Sequence, residues 1–133
     1  LAFVLALSSE AQETLHGTVT RIVDGDTITF ELANGEKERI RLADIDAPET
    51  NQPWGRQASA ALRELSEFKI GRVEVVDTDR YGRMVGTLWI DNDNINRILV
   101  QEGHAWVYRN YLRDNSLLNK SSSPSRSKFH LSR

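Results

Sequence analysis

Between Leu15 and Ile45 three runs rich in β-branched residues follow one another with only tight turns between them, and no other feature restricts the fold as much. "LHGTVTRIV" roughly alternates apolar and polar positions, and "TITFEL" repeats the pattern. "KERIRLADI" then places Ile40, Leu42 and, next in line, Asp44 on one face, with Arg39, Arg41 and Ala43 on the other. Period-two alternation is the mark of a strand with one buried face. "DGDT" supplies the first turn, where Gly25 is able to take positive φ. Asn34-Gly35 is a hairpin signal for the second. Three strands joined so closely form a meander.

Beyond the acid-rich stretch "ADIDAPET", Pro53 sits where a first helical turn tolerates proline. Ala58, Ala61, Leu62, Leu65 and Phe68 recur at helical spacing after it. "GRVEVVDTD" reads as a fourth strand, "RYGR" as a turn and "MVGTLWI" as a fifth strand. "DNDN" opens a second helix with Ile95, Ile98 and Leu99 inward and Gly103 as its stop. Five short strands, with a helix between the third and fourth, predict a β-rich α+β fold: a five-stranded Greek-key barrel of the OB type with two to three packed helices. No internal repeat is visible.

A chain of 133 residues with 39% hydrophobic and 27% charged content suits one globular domain. The expected organisation is an N-terminal extension over 1–13, a barrel domain over 14–114 and a divergent tail over 115–133. The opening "LAFVLALSSEAQE" is too short to span a bilayer. It reads as the apolar core and cleavage zone of an export signal, which predicts a secreted or periplasmic protein, against a buried N-terminal helix as the alternative. The tail "NKSSSPSRSKFHLSR" is serine-rich, basic and without apolar periodicity.

With no cysteine, disulfides, thiolate metal sites and cysteine nucleophiles are excluded. His16, His104 and His130 have no metal-ligand spacing, so any metal would be held by oxygen, as calcium, magnesium or manganese are. The net charge of −2 hides an uneven distribution: eight acids stand against three bases from Asp24 to Glu49, and nine bases against four acids from Arg80 onward. An acidic site facing a basic half can accept phosphates once a cation is present.

In a meander, Asp24 and Asp26 in the first turn and Asp44, Asp46 and Glu49 at the end of the third strand can meet at one end of the barrel. Each alone is most often a turn residue. Together their repulsion calls for a cation or an arginine among them. Asp91, Asp93 and Glu102 match three positions of a calcium-binding helix-loop-helix. Ile95 and Asn96 occupy its ligand and glycine positions, so Asp93 or Asn94 is better read as a helix cap. Arg41, on the acid-bearing strand, and Arg83, closing "DRYGR", are guanidinium groups suited to a phosphate and its developing charge. A surface ion pair is the commoner fate of either one.

"VDGDT", "IRLADIDAPET", "DRYGR" and "LVQEGHAWVY", in this order from about Leu15 to Leu112, resemble the thermonuclease (staphylococcal nuclease-like) family. The resemblance implies an OB barrel and calcium-dependent cleavage of DNA and RNA with products ending in 3′-phosphates. It implies metal binding by Asp26, Asp46 and the backbone carbonyl of Ala47, general-base action by Glu49 and phosphate binding by Arg41 and Arg83. Tyr81 matches an aromatic position near the terminal phosphate, and Tyr108 or Tyr111 would approach the base. Ala47 stands where the best-known member has threonine, a change that keeps the carbonyl. Asp44 is an additional acid without an assigned role. The tail is unlike the family's alanine- and charge-rich terminal helix, as from a shifted reading frame or a truncated helix.

The function expected is therefore that of a monomeric phosphodiesterase acting on DNA and RNA, without a membrane span. The alternatives are a non-catalytic OB module binding nucleic acid or protein, and a structural calcium-binding domain.

Overall fold

A computed structural model describes residues 13–107. The apolar N-terminal run, the tail, Tyr108 and Tyr111 lie outside them. The described chain forms β1 (Glu13–Asp24), β2 (Thr27–Leu32), β3 (Lys37–Leu42), β4 (Ile45–Asp46), α1 (Gly55–Ser66), β5 (Ile70–Thr78), β6 (Met84–Ile90), β7 (Asp93–Asn94), α2 (Ile95–Gln101) and β8 (Trp106–Val107).

The long strands are ordered β3-β2-β1-β5-β6, and β3 pairs in parallel with β6 through Ile40–Met84, Arg41–Val85 and Leu42–Gly86. That last pairing closes the sheet into a five-stranded barrel, as expected. β1 makes closure feasible by serving two partners: residues from Glu13 to Thr18 pair with β5, and residues from Gly17 to Asp24 pair with β2. Register shifts at Val19/Arg21 and Ile22/Asp24 add the bend and twist this requires. Gly17 lies where both pairings overlap, and a Cβ there would run into the Glu31 carbonyl.

Val19, Ile28, Phe30, Ile40, Leu42, Val73 and Leu88 fill the barrel. Ala58 and Leu62 of α1 and Ile95 and Leu99 of α2 join the same core. Fully burying side chains of this size stabilises by roughly 1.5–3 kcal/mol each, so the barrel interior and its helical covers form one unit. No helix among the described residues is long and apolar enough to cross a membrane.

Three local expectations are corrected, and one conformational freedom goes unused. Gly25 does not take positive φ. It is needed for room, since a Cβ there would stand 2.9 Å from that of Ala58 and 3.0 Å from that of Ala47. The third strand does not run through to Ile45, because the backbone turns at Asp44 (φ 64°) and both Ala43 and Asp44 become buried. Pro53 precedes the helix, which begins at Gly55 after a left-handed Trp54. Phe68 lies past the helix end with φ 65° and is 73% exposed.

The second helix starts as anticipated: Asn94 caps it by accepting the Arg97 N–H at 3.0 Å.

Candidate active site

The first turn and the end of β3 meet because β2 and β3 are in register through Thr27–Arg41, while the Leu42 N–H donates to the Asp26 carbonyl at 2.8 Å. Asp26 is thereby buried beside Arg41. Its Oδ2 accepts the Ala47 N–H at 2.9 Å, and its Oδ1 accepts the Thr27 hydroxyl at 3.0 Å. Arg41 is the hub. Its Nη1 donates to the carbonyls of Leu42 and Ile45, each at 2.9 Å. Its Nη2 lies 3.5 Å from Asp26 and 3.4 Å from Asp46. The left-handed turn at Asp44 presents the Ile45 carbonyl to Arg41 and sends the chain on to Asp46, which pairs with Trp106. Asp and Asn accept that backbone conformation more readily than other non-glycine residues.

Desolvation pushes the Asp26 carboxyl above the ordinary carboxylate range. The Arg41 charge and the Ala47 N–H pull it back, nearby Asp46 adds to the rise, and the Thr27 hydroxyl pulls it down again. One guanidinium shared between two carboxylates at these separations is a weak partner, because charge-assisted hydrogen bonds are normally about 2.7–2.9 Å. An oxygen-loving divalent cation suits this donor set. The side chains are carboxylates, the Ala47 carbonyl is the adjoining main-chain oxygen, and no sulfur or imidazole is involved. Among the described residues no three His, Cys, Asp or Glu side chains are grouped to hold a metal. A cation at Asp26 and Asp46 would therefore take its remaining ligands from the main chain, water or a phosphate.

Arg83 arrives from the β5–β6 turn. Asp79 accepts the N–H groups of Tyr81 and Arg83 at 2.9 and 3.0 Å on one oxygen and Arg83 Nε at 2.6 Å on the other. Gly82 (φ 83°) completes the turn. Arg41, Asp44, Asp79, Tyr81 and Arg83 line one groove of about 480 Å³. The structure thus brings the two arginines to a common cavity and places Asp44 in its wall.

Glu49 is exposed and lines a separate open groove with Asp24, Thr50, Asn51 and Arg56. Its loop is fixed at several points. The Glu49 N–H donates to Gln52 Oε1 at 2.7 Å, and the Thr50 hydroxyl donates to Asp24 at 2.8 Å.

Two supporting residues escaped the sequence reading. Asp79 carried a signal, an aspartate opening a four-residue turn whose last position is Gly82. Asn96 carried none. Buried on α2, it donates to the carbonyls of Ala43 (3.1 Å) and Gly86 (3.2 Å) and accepts the Leu88 N–H at 3.1 Å, tying the Asp44 turn to β6.

A closed OB-like barrel with two arginines on one groove, one of them set beside the buried Asp26, defines the class of protein. Residues 39–126 match the family described as Staphylococcal nuclease homologue. The chain is 43% identical over 119 residues to a micrococcal nuclease of Shigella flexneri, covering 83% of this chain and 68% of that protein. It is 42% identical over 115 residues to protein ParB of Escherichia coli, covering 80% of this chain and 64% of that one. An uncharacterized endonuclease of Haemophilus influenzae is 34% identical over 114 residues, covering 86% of this chain and 64% of the relative. The chain belongs to the staphylococcal nuclease family. It spans about two thirds of the length of these curated relatives.

Proposed function

We propose that this protein is a calcium-dependent nuclease that hydrolyses phosphodiester bonds of DNA and RNA and leaves 3′-phosphate ends. The observation that carries the reading is the sharing of Arg41 between Asp26 and Asp46 at a groove that Arg83 also lines. Family membership and the relatives named as nucleases support it.

Asp26, Asp46 and the Ala47 carbonyl would hold the cation, which when bound supplies positive charge to a phosphate oxygen and to water. Arg41 and Arg83 donate to the non-bridging oxygens as negative charge gathers on five-coordinate phosphorus. Glu49 accepts a proton from the attacking water, which requires its carboxylate to come within hydrogen-bond reach of that water once substrate is bound. A bond from the water oxygen to phosphorus forms and the bond to the 5′-oxygen breaks. The departing 5′-oxygen takes a proton from solvent water, and the products are a 3′-phosphate and a 5′-hydroxyl.

The test is digestion of DNA and RNA with calcium, with magnesium and with chelator, followed by analysis of product ends. Calcium-dependent release of 3′-phosphorylated products is expected. Products ending in 5′-phosphate would overturn the proposed chemistry, and tight strand binding without cleavage would favour a non-catalytic binding module.

A further inference from the structure

A second groove of about 490 Å³ adjoins the first, lined by Arg39, Tyr81 and Arg83. Tyr81 and Arg83 are common to both grooves, so the two are continuous. The parallel register that sets Ile40 against Met84 brings Arg39, one residue earlier, alongside Arg83. Arg39 is exposed and makes no side-chain hydrogen bond or ion pair among the described residues.

The basic character continues across the barrel surface. Arg39 pairs with Thr29, and Thr29 pairs with Arg21, also exposed, so an uncharged residue separates two arginines on one outer face. Lys37, by contrast, is opposed by Glu31. Tyr81 is 73% exposed, with the guanidinium groups of Arg80 and Arg83 at 5.6 and 5.5 Å from its ring centre.

An exposed aromatic ring beside a row of arginines is the composition that grips a single nucleic-acid strand, with a base on the ring and phosphates on the cations. We propose that Arg39 forms a second phosphate subsite, holding the backbone of a single strand next to the phosphate at Arg41 and Arg83, with Arg21 extending the track. The inference rests on the nuclease reading for what occupies the first groove. Substrate contacts then reach beyond the scissile bond, and longer strands bind more tightly.

The test measures binding of labelled oligothymidines of about three and about twelve nucleotides, in chelator to prevent turnover, across a salt series. For the longer strand, Arg39→Ala is expected to weaken binding roughly two- to fivefold, the scale of one exposed charge contact. It should also lower the slope of log affinity against log salt by about 0.7, the value for one phosphate on a single strand. The loss should be smaller for the shorter strand, and Arg39→Lys should restore much of it. Lys69→Ala removes an exposed charge that lines neither groove and serves as the control.

The proposal is overturned if Arg39→Ala binds like the parent at every salt concentration, if Lys69→Ala loses as much, or if the parent binds neither strand. Cleavage by the same parent preparation separates the two readings. Binding through Arg39 without cleavage would leave the subsite and remove the nuclease. Cleavage with an inert Arg39 would do the reverse.

Discussion

Asp79 Oδ2 accepts Arg83 Nε at 2.6 Å while its other oxygen holds the backbone N–H groups of Tyr81 and Arg83. One carboxylate therefore folds the turn and aims the guanidinium, leaving both terminal Arg83 nitrogens for a phosphate. Its pKa has a mixed origin. Desolvation, the largest single influence, raises it, and the hydrogen bonds from Arg83 and Tyr81, with the Arg83 charge, together outweigh this and hold it below the usual aspartate range.

Asp79→Asn keeps an oxygen for the two N–H groups but sets an amide against Nε. We expect roughly a tenfold loss of kcat with a modest loss of stability at neutral pH, against on the order of 10²–10³ in rate for Arg83→Ala. Asp79→Ala should also loosen the turn. Because the folded-state pKa is lowered, the contribution to stability is present above the ordinary value of 3.8 and disappears as pH falls through the folded value. Kinetics and acid unfolding of the variants check both statements.

The sequence made β2 and β6 legible end to end, because their alternation is uniform and each is bounded by turn residues. The approach of Asp26, Arg41 and Asp46 was also legible, since a meander brings its turn and its third strand together. The reversal at Asp44 was not. Locally "RLADI" continues a strand, and the break is stabilised by distant partners: Ile45 pairs with Val107, and the Ala43 carbonyl accepts from Asn96. Gly25 looked like a conformational device because only the packing of α1 shows what crowds it. Phe68 fitted a helical stripe whose helix had already ended.

Asp26 gives a pH-dependent prediction of opposite sign. Its carboxyl is raised chiefly by desolvation, so the folded state binds its proton more readily than the unfolded chain. The associated stability is present below 3.8 and lost as pH rises through the folded value. Asp26→Asn should therefore gain on the parent as pH rises from acid to neutral in calcium-free urea unfolding. Calcium at about one hundred times its dissociation constant should stabilise the parent by about 2.7 kcal/mol and the variant by much less. Equal stabilisation of both would remove Asp26 from the metal site.

Asn96 is a structural prediction with a functional reach. Replacing it with Ala leaves the Leu88 N–H and the carbonyls of Ala43 and Gly86 without their side-chain partner at a buried position. Deleting such a buried polar hub costs about 2–4 kcal/mol, to be read from denaturant midpoints at constant m-value. The Ala43–Asp44 turn should also lose protection in amide exchange before the rest of β3 does.

Gly55 offers the sharpest test of how Glu49 is positioned. A Cβ at Gly55 would collide with the Glu49 carbonyl, so α1 can begin under this loop only if residue 55 lacks a side chain. Helix propensity pulls the other way, since Ala is favoured over Gly by about 1 kcal/mol within a helix. Any damage from Gly55→Ala must then come from the collision. The loop has to shift, carrying Glu49 with it, and misplacing a reacting group by about an ångström can cost 10²-fold in rate. We expect kcat for DNA cleavage to fall roughly ten- to a hundredfold in a variant whose circular dichroism still reports the folded barrel. Calcium-linked stabilisation through Asp26 and Asp46 should change less. A folded Gly55→Ala variant with parental kcat would mean that Glu49 needs no fixed loop to act.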